Sequence, residues 1–452
     1  MFKSILVTIL VAFQLVTFGQ EYKFYALSNN PNTEKSLYLC KLNSNVGIIT
    51  IIERYSGLNK ADYLALSSDN KHLLATNKNE DNTQSGIAQF DIADDGLLTF
   101  IDTKLKATTD QPCYVSFTPD MNYALSANYG DDEISLYSFA NNKISSEIDN
   151  ITKSDNSKGH FICTDPSGKF VHAVFLGLDK IFNYTIENNK FVANTNQESF
   201  SVTSGFGPRH MVFHPNKDFV YIVNETNSSV TACSYNSETG VINKLQNISM
   251  LPSGFTGNTH AAAIRIHPNG NFLYASNRGH NSIAVYEIAS DGKLTFVEHE
   301  TFNINFPRDF NISTDGKFMI IANQKGSSIM SLRIDENTGE LNNTGMSLIM
   351  TSPVSITFLP TIVDDTTDIN SIKNNNNELI VFPNPVTDVI QFNLPEKETI
   401  SKIELYSMNG QLVKTISDDD IHSIDVSELP IGTYLLIANS KTNIFKQIIV
   451  LE

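Results

Sequence analysis

Tryptophan is absent from the 452 residues, cysteine occurs four times, and arginine six times, at 54, 209, 265, 278, 308 and 333. Four thiols cannot build a dense disulfide framework over this length, and no CxxC or Cys/His spacing suggests a metal site. Positive charge is scarce too: 32 Lys and Arg face 49 Asp and Glu, a formal net charge of −17. A nucleic-acid groove or an anionic-membrane patch needs clustered cations, so no nucleic-acid partner is expected. No nucleophile elbow, HExxH, phosphate loop or dinucleotide fingerprint occurs, so no cofactor is expected. The acidic stretches "DDTTDIN" and "DIADDG" match calcium loops poorly and read as solvated loops. What is present is 41% hydrophobic and 10% aromatic residues, enough for a large folded core.

The amino terminus reads as a targeting segment. Lys3 supplies a positive charge, Ile5 to Phe18 is almost wholly apolar, and Gly19 and Gln20 follow. The apolar run is too short for a comfortable membrane span, so no transmembrane segment is expected and residues 1–20 are assigned as a cleaved secretory signal. Cys40, Cys113, Cys163 and Cys233 would then meet an oxidising compartment. All four lie in apolar strand-like runs and are expected as buried, unpaired thiols.

A repeat organises most of the chain. One unit is a strand, a Pro/Asp/Asn/Gly turn, and a second strand usually ending in Asn. Copies begin at Ala61, Pro112, Gly159, Pro208, Ala261 and Pro307, as in "PRHMVFHPNKDFVYIVN" and "AAAIRIHPNGNFLYASN". The spacings are 51, 47, 49, 53 and 46 residues, with two further strand-like runs between copies. Four strands in a period near 50 is the pattern of a propeller blade. "EYKFYALSNN" from Glu21 resembles a second strand without its first, and "SPVSITFLP" from Ser352 a first strand without its second. Paired, they complete a seventh blade and leave no open sheet edge. The expected fold is all-β: a seven-bladed β-propeller over 21–360, a polar linker over 361–378, and a small β-sandwich over 379–452.

Register converts the repeat into a candidate site. With the anchor as position 0, positions +1 and +2 open the first strand, and +17 follows the second. The strands are antiparallel, so these positions share one end of the blade, and all blades present them at one mouth of the channel. Position +1 holds Asp62, Cys113, His160, Arg209, Ala262, Arg308 and Val354; position +2 includes Tyr63, Tyr114, Phe161, His210 and Asp309. Position +17 includes Glu225, Arg278 and Gln324, and His260 precedes its anchor at the same rim. Three of six arginines on one rim of an acidic protein suit a carboxylate or phosphate ligand, because guanidinium binds such groups through a planar fork. His210 beside Glu225 is the minimum for a general base acting on water. Arg265 and Arg54 lack such company and are assigned structural roles. His214 and His267, at the opposite turns, are assigned none.

These segments carry a family resemblance. "GPRHMVFHPN" with "YIVNETNSSV", "FPRDFNIS" and "FLGLDKI" resemble the seven-bladed lactonase family, which contains propeller-type 6-phosphogluconolactonase and carboxymuconate cyclase. The resemblance spans roughly 21–360 and implies a lactone site lined by Arg209, His210, Glu225, Arg278, Arg308, His160 and Asp179. The chain departs from the family pattern at Lys158, Ala263 and Ala61-Asp62, where many members carry a histidine, an acidic residue and Pro-Ser. "VFPNPVTDVIQF", "IELYSMNGQLVK" and "DVSELPIGTYLLIA" resemble a type IX secretion C-terminal sorting domain. That likeness implies the type IX machinery as a partner and a secreted or surface location reached through the periplasm. The expected activity is hydrolysis of a sugar-derived or carboxylated lactone, Glu225 and His210 activating water and the arginines holding anionic groups. Arg209, Arg278, Arg308, His160, Asp179, His260 and Gln324 are the expected substrate contacts. The alternatives are a non-catalytic saccharide- or protein-binding propeller and a muconate-type cycloisomerase.

Overall fold

A computed structural model describes residues 21–360, apart from 30–34, 45, 108–109 and 111, and 380–382, 386–393, 399–407, 412–418, 421–440 and 444–451. The expected signal segment 1–20 and linker 361–378 lie outside the described residues. The chain divides into two compact units, the second beginning at Val363.

Seven sheets make up the first unit. Blade 1 runs from Leu64–Leu66 to Leu98–Ala107, blade 2 from Pro112–Phe117 to Lys143–Thr152, and blade 3 from Gly159–Thr164 to Lys190–Ala193 with Ser199–Ser201. Blade 4 runs from Pro208–Phe213 to Val241–Ser249, blade 5 from His260–Ile266 to Leu294–Glu300, and blade 6 from Pro307–Ile312 to Leu341–Ile349. Blade 7 is built from both ends: Pro353–Phe358 pairs with Glu21–Ser28, Phe24 opposite Phe358 and Leu27 opposite Ser355. The described residues contain one 3-10 turn, Leu176–Leu178, and no α-helix.

Strand periodicity explains why the blades stack. Successive side chains point to opposite faces, and in a middle strand both faces are covered. In Phe219–Asn224, Val220 and Ile222 join a cluster with blade 3, while Tyr221 and Val223 join one with blade 5. The strand therefore reads as a continuous apolar run, as strands buried on both sides do. Outermost strands such as Lys143–Thr152 alternate half-buried and exposed instead. Seven apolar clusters bridge consecutive blades, and the cluster of Tyr25, Leu37, Leu64, Leu73 and Val354 joins blade 7 to blade 1.

Polar ties lock the turns. His214 Nε2 bonds Gly270 O at 2.9 Å and His267 Nε2 bonds Gly316 O at 2.9 Å, each joining its turn to that of the next blade. All four cysteines are free; Cys40 and Cys233 are buried, Cys113 and Cys163 half-buried. Burial pushes the Cys40, Cys113 and Cys233 thiols up to about 12, so they stay protonated.

The second unit has two sheets. One orders Ile380–Phe382, Val389–Asn393 and Ser423–Asp425; the other orders Leu412–Ser417, Ile400–Ser407, Gly432–Ser440 and Ile444–Leu451. Ile390 and Ile424 from the first sheet and Ile403, Leu405 and Leu436 from the second share one core.

Candidate functional site at the channel mouth

A bulge shapes the mouth. In blade 4 Pro208 faces Asn224 but His210 faces Val223, so Arg209 is the extra residue. Blades 2, 3 and 6 slip at the same place, leaving Cys113, His160 and Arg308 extra. An extra residue disrupts the alternation and re-aims its side chain. Positions +1 and +2 thus reach the same region, and Arg209 Nη1 lies 3.2 Å from the Nε2 of its own neighbour His210.

Glu225 is the hub. Its N–H donates to Gly207 O at 2.7 Å and its carbonyl accepts from Ala261 N at 3.1 Å, fixing it between blades 4 and 5. Arg278 Nη2 lies 3.0 Å from Glu225 Oε2, and Arg209 Nε 3.1 Å away in an ion pair rather than an aligned hydrogen bond. His160 Nε2 is 4.0 Å from the same oxygen. The arginines are held in turn: Arg209 Nη1 donates to Ala262 O at 2.7 Å, and Arg278 Nη2 to Ala261 O at 3.0 Å. Arg308 Nη2 pairs with Asp62 at 3.3 Å, and Asn29 Nδ2 donates to that carboxylate at 2.7 Å.

The electrostatics follow from crowding cations in a dry place. For Glu225, burial alone would raise the pKa, but Arg278 and then Arg209 outweigh it and hold the carboxylate below its usual range. Burial and Arg278 push Arg209 down to about 9, still charged at neutral pH. Burial, followed by Arg209, drives both His160 and His210 well below the usual imidazole range, so both are neutral.

Beneath this layer lies a ring of aromatics. Tyr63 and Tyr114 centroids are 4.1 Å apart, Tyr114 and Phe161 4.2 Å, and His210 packs 5.2 Å from both Tyr114 and Phe161. Arg265 completes the layer, its Nη2 reaching Asp309 Oδ1 at 3.0 Å and the Tyr63 hydroxyl at 3.2 Å.

The nine expected site residues therefore separate. Arg209, Glu225, Arg278 and His160 converge, and Arg308 stands at the same rim paired to Asp62. His210 touches Arg209 but is 3% exposed, with its ring stacked in the aromatic layer. His260 is exposed at the rim, where its carbonyl accepts from Arg278 Nε at 3.3 Å, and Gln324 is half-buried there. Asp179 is a positioning residue, because its two carboxylate oxygens accept the N–H groups of Gly205 and Gly207 at 2.7 Å each. It shapes the loop that delivers Arg209. Two participants escaped the sequence reading: Asp62 as the partner of Arg308, and Arg265 as a channel residue. Asp62 stands just before the inner strand of blade 1, at +1, and Arg265 on that of blade 5, at +4, so the repeat register held the only available signal.

The model of the seven-bladed β-propeller lactonases matches residues 23–358. The chain belongs to that family. A 6-phosphogluconolactonase from Bacillus subtilis is 27% identical to this lactonase-family chain over 350 residues, spanning 75% of this chain and 99% of its own. An uncharacterized Staphylococcus aureus protein is 30% identical over 349 residues, 74% of this chain and 99% of its own. The solved structure of a Pseudomonas aeruginosa periplasmic gluconolactonase superposes with a TM-score of 0.70 at 22% identity, covering 75% of this chain and 99% of that one, and shows the shared fold. Residues 380–451 match the secretion-system C-terminal sorting domain, which directs this lactonase-family protein to the cell surface or the extracellular space through the secretion machinery. Among the described residues, no helix is long and apolar enough to cross a membrane.

Proposed function

We propose that the propeller hydrolyses a sugar-derived or carboxylated lactone at the mouth built around Glu225. The carrying observation is the convergence of Arg209 and Arg278 on Glu225 Oε2, within a largely buried mouth that also holds Arg308. The named contacts fall on Oε2, and the Glu225 side chain is 20% exposed, so Oε1 remains to accept a hydrogen bond from water. Water adds to the lactone carbonyl carbon as Glu225 takes its proton. The arginines stabilise the developing oxyanion. The ring C–O bond then breaks, and Glu225 returns the proton to the departing ring oxygen, giving the hydroxy acid. Glu225 suits the base role better than His210, whose Nε2 already faces Arg209. Arg308, at the rim, is placed to hold a carboxylate or phosphate on the substrate.

The test is pH-stat hydrolysis of aldonolactones, with and without a phosphate or carboxylate, by wild type and Glu225→Gln. Catalysis above the spontaneous rate that falls roughly 10²–10⁴-fold in the variant supports this reading. A wild type at the spontaneous rate ends it. The commitment of Glu225 to two arginines favours one second reading, a binding-only mouth for an anionic saccharide. Calorimetric binding of aldonates without turnover would support that instead.

A further inference from the structure

On the reading of the mouth as the ligand site, we propose that Phe306 is a positioning residue, its ring holding the Arg278 guanidinium in the direction of Glu225. Phe306 stands one residue before the blade 6 anchor and has φ +58°. Lys60, Lys158, Gly207 and Ser352 hold the same left-handed turn before their own anchors, so the conformation belongs to the repeat. The bulky ring does not. A non-glycine residue in this region is uncommon, and a large one is an outlier. Such residues persist where their surroundings over-determine them, and they collect at functional sites.

Phe306 is held from three sides. Its N–H donates to Asn281 Oδ1 at 3.0 Å, and its carbonyl accepts from Gln324 N at 3.1 Å. The same Asn281 oxygen accepts from Gly279 N at 3.0 Å, so one side chain ties Phe306 to the residue next to Arg278. The ring centroid lies 5.6 Å from Arg278 Cζ and 3.9 Å from Lys325 Nζ. Both cations are within the roughly 6 Å reach of a cation–π contact. Arg278 donates from Nε to His260 O and from Nη2 to Ala261 O, and Nη2 also faces Glu225. Those contacts fix the edge of the guanidinium, and Phe306 fixes its face.

The test uses the full-length chain labelled with ¹⁵N-arginine, whose six arginines give six Nε–Hε signals. Arg278→Lys identifies the signal to follow. In Phe306→Leu that signal should lose the shift imposed by the ring, and its proton should exchange with water about tenfold faster. Calorimetric affinity for gluconate, the probe of the mouth, should fall about tenfold with it. Phe306→Tyr keeps the aromatic face and should restore both. Phe306→Gly guards against a folding defect: glycine takes the left-handed turn without strain, so this variant should stay folded and yet loosen Arg278 as Phe306→Leu does. An Arg278 signal unmoved in folded Phe306→Leu or Phe306→Gly would overturn the proposal, as would a Tyr variant no better than Leu. Absence of gluconate binding to wild type would sink the ligand reading of the mouth, while the Arg278 signal, read without ligand, still decides the role of Phe306.

Discussion

Replacing Glu225 by Gln keeps the shape of the side chain and removes the one negative charge between Arg209 and Arg278. Each contact, at 3.0–3.1 Å, has a Coulomb energy of about 5.5 kcal/mol at an effective dielectric of about 20. Desolvation offsets much of that, and breaking a buried pair typically costs about 3–5 kcal/mol. Gln retains a carbonyl acceptor, so the lower end, about 3 kcal/mol, is the expected loss. Unfolding entropy near 2.1 cal/mol/K per residue gives the propeller about 0.7 kcal/mol per kelvin, hence a fall of about 4 °C in melting temperature at neutral pH. The sign with pH is fixed by the lowered pKa of Glu225. A carboxylate with a depressed folded pKa contributes its full stability above the unfolded value, about 4.3, and loses it as pH falls through the folded one. The gap between wild type and variant should therefore be constant from mildly acidic to mildly basic pH and shrink below about pH 4. Thermal unfolding followed by circular dichroism across that range measures it. A gap under about 1 °C at neutral pH would refute the picture of a desolvated ion cluster.

Other perturbations separate positioning from binding. Asp179→Ala leaves the Gly205 and Gly207 N–H groups without their acceptors, and urea unfolding should show a loss of about 1–3 kcal/mol. Gly207→Ala should also destabilise, because φ is +62° and an added Cβ would collide with the Thr226 hydroxyl; the same titration reads it. Arg308→Gln should raise KM for anionic lactones at least tenfold while sparing neutral ones, measured by initial rates on paired substrates. A chain ending at Ile362 should give a folded propeller, whereas one ending at Thr351 lacks Pro353–Phe358 and should fail to melt cooperatively.

The architecture was legible because blade packing writes itself into sequence. Each blade must bury both faces of its middle strands, so runs such as Phe219–Asn224 recur at nearly constant spacing, and half-units at Glu21 and Ser352 announce closure. The shared rim of Arg209, Glu225, Arg278 and Arg308 followed from register alone. Contacts that depend on backbone detail did not. The bulge at +1 is invisible in a residue string, yet it brings Arg209 and His210 together and sends His210 into the aromatic layer. Asp179 answers two backbone N–H groups, which no side-chain pattern advertises. Arg265 stood at a position with no rim neighbours, and its partners come from other blades, Asp309 from the next one and Tyr63 from blade 1, across the ring.

The latch strand Pro353–Phe358 leaves the ribosome after every other piece of the ring, and the export address follows it. A message cut short upstream of residue 353 yields a product lacking both the clasp and the postal code. An incomplete ring of that kind thus also lacks the segment that directs the chain outward.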